Sequence, residues 1–113
     1  MDCIFCKIAK KTIPADILFE DEQLIAFNDI RPQAPTHVLI IPKKHIPTLN
    51  DTVESDKNLL GIMILKAAEF AKTKGFSETG YRLVFNINSG GGQDVYHIHL
   101  HLLSGHQMTW PPG

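Results

Sequence analysis

The sequence predicts an α+β fold, an antiparallel sheet of about five strands covered on one face by a long helix. Three observations carry that expectation. Short aliphatic runs alternate with proline, asparagine and glycine breaks, as strands and turns do. One stretch repeats apolar residues at three- and four-residue steps, as a helix packed on a sheet does. Near the C-terminus, imidazole and aliphatic side chains alternate strictly, as on a strand with two unlike faces.

Taken in order, residues 3–10 (CIFCKIAK) read as a short helix, stopped before Pro14 by the β-branched pair Thr12-Ile13. Ile17 to Glu20 and Leu24 to Phe27 read as two strands around an Asp21-Glu22 turn. The segment Asp29 to Pro35 is a proline-punctuated loop, and His37 to Ile41 is a strand apolar enough to be buried on both faces. Residues 53–74 carry the helical stripe of Leu59, Ile62, Met63, Ala67, Phe70 and Ala71, with Gly75 as its C′ residue. Tyr81 to Ile87 reads as a strand, Asn88 to Gln93 as a glycine-rich turn, and Val95 to Leu103 as the histidine strand. The tail from Gly105 to Gly113 is irregular.

The 113 residues suit one compact domain spanning positions 1–113, long enough to bury roughly two-thirds of the unfolded surface. Composition is that of an ordinary globular chain, 43% hydrophobic and 20% charged. A net charge of −1 provides no basic field, so a nucleic-acid partner is not expected. No segment approaches the length of a membrane span, and no signal peptide is apparent, so a cytoplasmic location is expected. Two cysteines three apart do not form the framework of a disulfide-rich secreted domain.

His97-Ile98-His99-Leu100-His101-Leu102-Leu103 holds half of the chain's six histidines. In an extended strand the three rings share one face, ~7 Å apart, while Ile98, Leu100 and Leu102 enter a core. Such a sheet would present an exposed row of imidazoles. Collinear rings suit tetrahedral metal coordination poorly, so nucleophilic or acid–base chemistry is the better reading. Gly90-Gly91-Gly92 lets backbone N–H groups form an anion nest just before this strand, within reach of His99. His37 belongs to the site only if it lies beside the histidine row; otherwise it is a structural strand-edge residue. Cys3-x-x-Cys6 is half of a zinc site needing two more ligands, for which His45 and His97 are candidates. Two reduced, partly buried thiols are the alternative.

His97 to Leu103 matches the His-apolar-His-apolar-His-apolar-apolar signature of the histidine-triad (HIT) family. Asp29-Ile30, Pro32 to His37, Ile41 to Ile46, Gly92-Gln93 with Val95-Tyr96-His97, and Trp110-Pro111-Pro112-Gly113 resemble its Hint branch, of bacterial type. The resemblance implies a HIT-like fold, a homodimer joined into one continuous sheet, and a purine nucleotide pocket. It implies P–N bond hydrolysis through a nucleotidyl-histidine intermediate, with no cofactor required for catalysis. His99 matches the nucleophile, His101 a donor to the phosphoryl oxygens and His37 a supporting histidine; His97 completes the catalytic set. Asp29 and Ile30 match ribose and base contacts, and Asn86, Gly92 and Gln93 the phosphate-side contacts. Trp110 matches a tail residue that reaches the neighbouring subunit's site. Cys3, Cys6, His45 and His97 match a structural zinc set found in some members. Asp94 stands where animal members have a serine near the phosphate, so it either points aside or assists the leaving group. Two other functions stay open: dinucleoside polyphosphate hydrolysis, against which the Trp-Pro-Pro-Gly tail argues, and a non-enzymatic nucleotide-binding adaptor.

Overall fold

The computed structural model describes residues 2–113. Five antiparallel strands form one sheet in the order β1-β2-β3-β5-β4. These are β1 (Ile17–Glu20), β2 (Leu24–Asn28), β3 (Thr36–Pro42), β4 (Arg82–Val84) and β5 (Leu100–Ser104). Two helices flank the sheet, α1 (Ile4–Ala9) and α2 (Lys57–Lys74). The β1–β2 hairpin turns where expected, because the Asp21 carboxylate accepts the N–H groups of Gln23 and Leu24 at 2.8 and 2.9 Å.

Helix α2 packs Leu59, Met63 and Ala67 into one core with Leu24, Ala26, Val38, Ile40, Ile98, Leu100 and Leu102, and Ala71 is buried on the same helix. It ends at Gly75, whose φ of 86° lets Phe76 N–H return to the Ala71 carbonyl at 3.0 Å. Its start differs from the expected residue 53. Residues Glu54–Asp56 form a 3-10 turn instead, since the Asp56 carboxylate folds back to accept the Val53 N–H at 2.9 Å.

The sheet is covered on both faces, not one. Ile25, Phe27, Leu39 and Ile41 point away from α2 and are buried under Cys3, Phe5 and Ile8 of the α1 segment. The all-apolar runs of β2 and β3 account for this, because alternate side chains on each strand must find separate cores. The short helix is therefore a second lid, and it lies over the histidine face.

Both late strands are shorter than the sequence patterns suggest. The β3–β5 ladder stops at Ile40 opposite Leu100. Two residues further along β3 stands Pro42, which has no N–H to donate. The Ile98 N–H goes instead to the Ile46 carbonyl at 2.8 Å. Strand β4 pairs only over Arg82–Val84 because its one neighbour, β5, begins at Leu100. No helix among the described residues is long and apolar enough to cross a membrane.

Gly105, just after β5, holds φ 110°, and a Cβ there would lie 2.6 Å from Pro35 Cβ. Replacing it with alanine combines a conformation costly for any side chain with a backbone–ring collision. Gly105→Ala should therefore lose ~2–3 kcal/mol of stability, read from urea denaturation midpoints.

Candidate active site

The alternation read from the sequence survives past the start of β5. Ile98, Leu100 and Leu102 enter the α2 core, while His97, His99 and His101 face the α1 side. The rings are not presented to solvent, however. His97 is fully buried and His99 is 4% exposed, because Phe5 of α1 lies edge-on to both rings, at centroid distances of 5.9 and 5.1 Å.

Backbone partners fix which nitrogen of each ring carries the proton. His97 donates its Nε2–H to the Pro42 carbonyl at 2.7 Å, so its Nδ1 keeps a lone pair. The carbonyl of His97 in turn accepts Nδ1–H of His99 at 2.9 Å. In the neutral ring this puts the lone pair on His99 Nε2, the tautomer a nucleophilic imidazole at that nitrogen requires. On β3, the Gln33 N–H binds His37 Nδ1 at 3.0 Å. His37 then donates Nε2–H to His101 Nδ1 at 2.9 Å, which leaves His101 with an Nε2–H for a ligand. The Asp29 carboxylate approaches His37 Nε2 at 3.5 Å. Thus His37, whose membership the sequence left undecided, does lie beside the row.

Burial lowers the pKa of His37, His97 and His101 below the ordinary imidazole value. His101 falls to about 4, with its neighbours His99 and His37 adding to the effect of burial. These three rings are neutral donors and acceptors at neutral pH.

His37, His99 and His101 line a cavity of about 510 Å³. The apolar walls come from Phe5, Ile8, Phe27, Ile30 and Leu39; Asp29 and Asp94 stand near the histidines. Asp94 is 83% exposed at its side chain, and its Oδ1 lies 3.7 Å from His99 Nε2. It does not point aside.

Four expected nucleotide contacts are not on the cavity wall: Asn86, Gly92, Gln93 and Trp110. The Gln93 side chain is spent inside the protein. Its Oε1 accepts the Asn88 N–H at 2.9 Å, and its Nε2 donates to the Pro47 and Val95 carbonyls at 2.7 and 3.0 Å. Asn86 Nδ2 closes the glycine turn onto the Gly91 carbonyl at 2.7 Å, and Gly92 holds a φ of 79° within that turn. Trp110 is 83% exposed in the single chain. Conversely, Phe5 and Ile8 went unread as site residues. Their spacing on a short helix, set against the apolar second face of β2, was the available signal.

Behind the row, Cys3, Cys6, His45 and His97 offer one donor atom each, all within 4.8 Å of one another. His97 Nδ1 lies 3.4 Å from Cys3 Sγ, 3.6 Å from Cys6 Sγ and 3.2 Å from His45 Nδ1. Cys6 Sγ lies 3.3 Å from His45 Nδ1. Tetrahedral zinc with two thiolates and two imidazoles separates its donors by roughly 3.3–3.8 Å, from its bond lengths. The donor set fits that ion. Burial, and then the neighbouring Cys3 thiol, raise the Cys6 pKa, so a metal would displace a proton on binding.

A sequence profile described as "Scavenger mRNA decapping enzyme C-term binding" matches residues 2–111. The chain is similar to a HIT family hydrolase from Legionella pneumophila Philadelphia 1, with 64% identity and a TM-score of 0.97 over 99% of this chain and 100% of that one. The chain belongs to the histidine-triad family. A histidine triad protein from Clostridium difficile is 43% identical, with a TM-score of 0.94 over 96% of this chain and 95% of that one. A purine nucleoside phosphoramidase of Escherichia coli (strain K12) is 51% identical over 107 residues, 95% of this chain and 90% of the relative. The family signature is thus carried by a fold in which three of the six histidines meet in one cavity and two others meet the cysteines.

A lowered histidine pKa has a definite sign. Between about 4 and the unfolded value of 6.5, the unfolded chain binds the proton that folded His101 refuses. Its contribution is present above pH 6.5 and is lost as pH falls towards 4. Allowing for partial solvent exposure, the loss is roughly 1–3 kcal/mol. Urea denaturation from pH 7 to pH 4 should show stability falling, and His101→Gln should flatten that slope.

Proposed function

We propose that the chain hydrolyses the P–N bond of purine nucleoside phosphoramidates through a nucleotidyl-His99 intermediate. The observation that carries this reading is the hydrogen bond from His99 Nδ1–H to the His97 carbonyl, which leaves Nε2 free at the cavity. The E. coli relative named purine nucleoside phosphoramidase supports the bond class.

The base would enter the apolar part of the cavity against Ile30, with Asp29 receiving the ribose hydroxyls. His99 Nε2 attacks phosphorus, and a P–N(imidazole) bond forms as the bond to the amine breaks. The amine leaves with the bonding pair and takes a proton from solvent at the open mouth. Water then attacks the same phosphorus, releases the imidazole and returns a proton to solvent. His101, oriented by His37, donates Nε2–H to a non-bridging oxygen as negative charge builds there. A neutral donor suits this task, since it can act in both steps without first losing a proton.

Zinc held by Cys3, Cys6, His45 and His97 would supply structure, tying α1 to the segment after β3 and to the first histidine of the row. The free thiols of Cys3 and Cys6 suit a reducing compartment such as the cytoplasm. The active form would be a homodimer. Strand β4 is a sheet edge, and pairing with a second copy's β4 would make one continuous sheet and give Trp110 a neighbouring site to enter.

Quenching the enzyme during turnover of adenosine phosphoramidate should leave a nucleotide on His99, located by mass spectrometry. His99→Ala should lose at least ~10³-fold in kcat/KM, and the wild type should turn over the phosphoramidate faster than diadenosine polyphosphates. Unchanged turnover by His99→Ala would overturn the reading. Metal analysis should find one zinc per chain, and Cys3→Ser with Cys6→Ser should lose both the metal and thermal stability.

A further inference from the structure

The carboxylate of Asp94 faces the nucleophile, and its backbone is held in place to do so. The preceding residue, Gln93, bonds through its side chain to Asn88, Pro47 and Val95, clamping the chain on both sides of position 94. The Asp94 side chain itself is free of such ties. It is exposed to 83% and reaches to 3.7 Å from His99 Nε2.

A reacting phosphorus must sit about 3–3.5 Å from the attacking nitrogen. Asp94 Oδ1 lies 3.7 Å from the same nitrogen, so a phosphoryl group bound there is within about 7 Å of the carboxylate. His101, which would receive the phosphate, and His37, which orients it, are held neutral by burial. Among the described residues of the cavity wall, Arg31 is the one Lys or Arg side chain, beside Asp29 in the proline-punctuated loop. In-line displacement sends the leaving group away from His99 through the cavity that Asp94 also lines, so a charge on the departing amine comes under the field of the carboxylate.

We infer that Asp94 selects the leaving group by charge, favouring amines that carry a positive charge close to the scissile bond and rejecting anionic leaving groups. The inference rests on the phosphoramidase reading and names its substrate class: phosphoramidates of cationic amines such as diamines or basic amino acid derivatives. Asp94 is then a specificity residue, and polyphosphate leaving groups meet its repulsion before any chemistry. At this separation and exposure, each unit of charge is worth about fivefold in kcat/KM. Because the group is exposed, the preference weakens with added salt.

Three adenosine phosphoramidates of equal chain length, ending in an ammonium, a methyl and a carboxylate, provide the test. In the wild type, kcat/KM should fall in that order, about 25-fold from first to last, from two charge steps of about fivefold each. Asp94→Asn should compress the spread to within twofold, and Asp94→Lys should reverse it. A general loss of folding or of chemistry would lower all three values together and leave their ratios alone. Equal ratios in the wild type and Asp94→Asn would overturn the inference. Calorimetric binding of the same compounds to His99→Ala, with and without Asp94→Asn, reads the charge preference without turnover. Absent wild-type hydrolysis of the methyl compound would count against the phosphoramidase reading alone, and the binding ratios would still decide the role of Asp94.

Discussion

His97 is the residue on which the rest of the site depends, because three of its polar groups are committed to different neighbours. Its Nε2–H is held by the Pro42 carbonyl, its own carbonyl holds His99 Nδ1–H, and its Nδ1 faces the two cysteines and His45. The first bond exists because β3 ends in a proline, which interrupts the ladder and leaves a carbonyl for a side chain to use. The second sets the tautomer of the nucleophile without any acidic partner. A carbonyl acceptor fixes which nitrogen carries the proton in the neutral ring and adds less charge stabilisation than a carboxylate in the same place would.

Burial keeps His37, His97 and His101 neutral at neutral pH. An exposed histidine row would titrate near pH 6.5 and lose its acceptor nitrogens to protons. Burial lowers the His97 pKa, and Phe5 of α1 packs edge-on against the His97 and His99 rings. The same short helix supplies part of the apolar wall of the cavity. One six-residue element thus performs two tasks, and its attachment to the sheet matters more than its length suggests.

Much of this was legible in the sequence, and the remainder failed for identifiable reasons. The strands, the long helix and Gly75 follow from periodicity and turn chemistry, which are local. The shared face of His97, His99 and His101 follows from alternation, although only His101 lies within β5. What periodicity cannot reveal is which face a distant segment will cover, so the exposed histidine row of the sequence reading became a buried one. The saturation of Gln93 was equally hidden. Its three partners, Asn88, Pro47 and Val95, are brought together only by the fold. His37 could be placed only once Val38 was seen to pair with Leu102, which puts Leu39 opposite His101 and His37 two residues along the same strand.

The arrangement also explains how a short chain can keep the thiol–imidazole cluster and the cavity histidines apart while linking them. His97 turns its ring towards the thiols and its carbonyl towards His99, so the two sites share a residue and no atom. An ion in the thiol cluster would draw on the ring's lone pair and strengthen its Nε2–H as a donor to Pro42. That effect reaches the nucleophile only through the position of a backbone carbonyl. Holding the nucleophile by main chain in this way lets the cluster stiffen the site without placing a cationic centre in contact with the attacking nitrogen. The charge that does stand beside that nitrogen is the carboxylate of Asp94, on the opposite, solvent-facing side. The interior therefore holds the ring in its orientation, and the exposed side of the same nitrogen faces a single carboxylate.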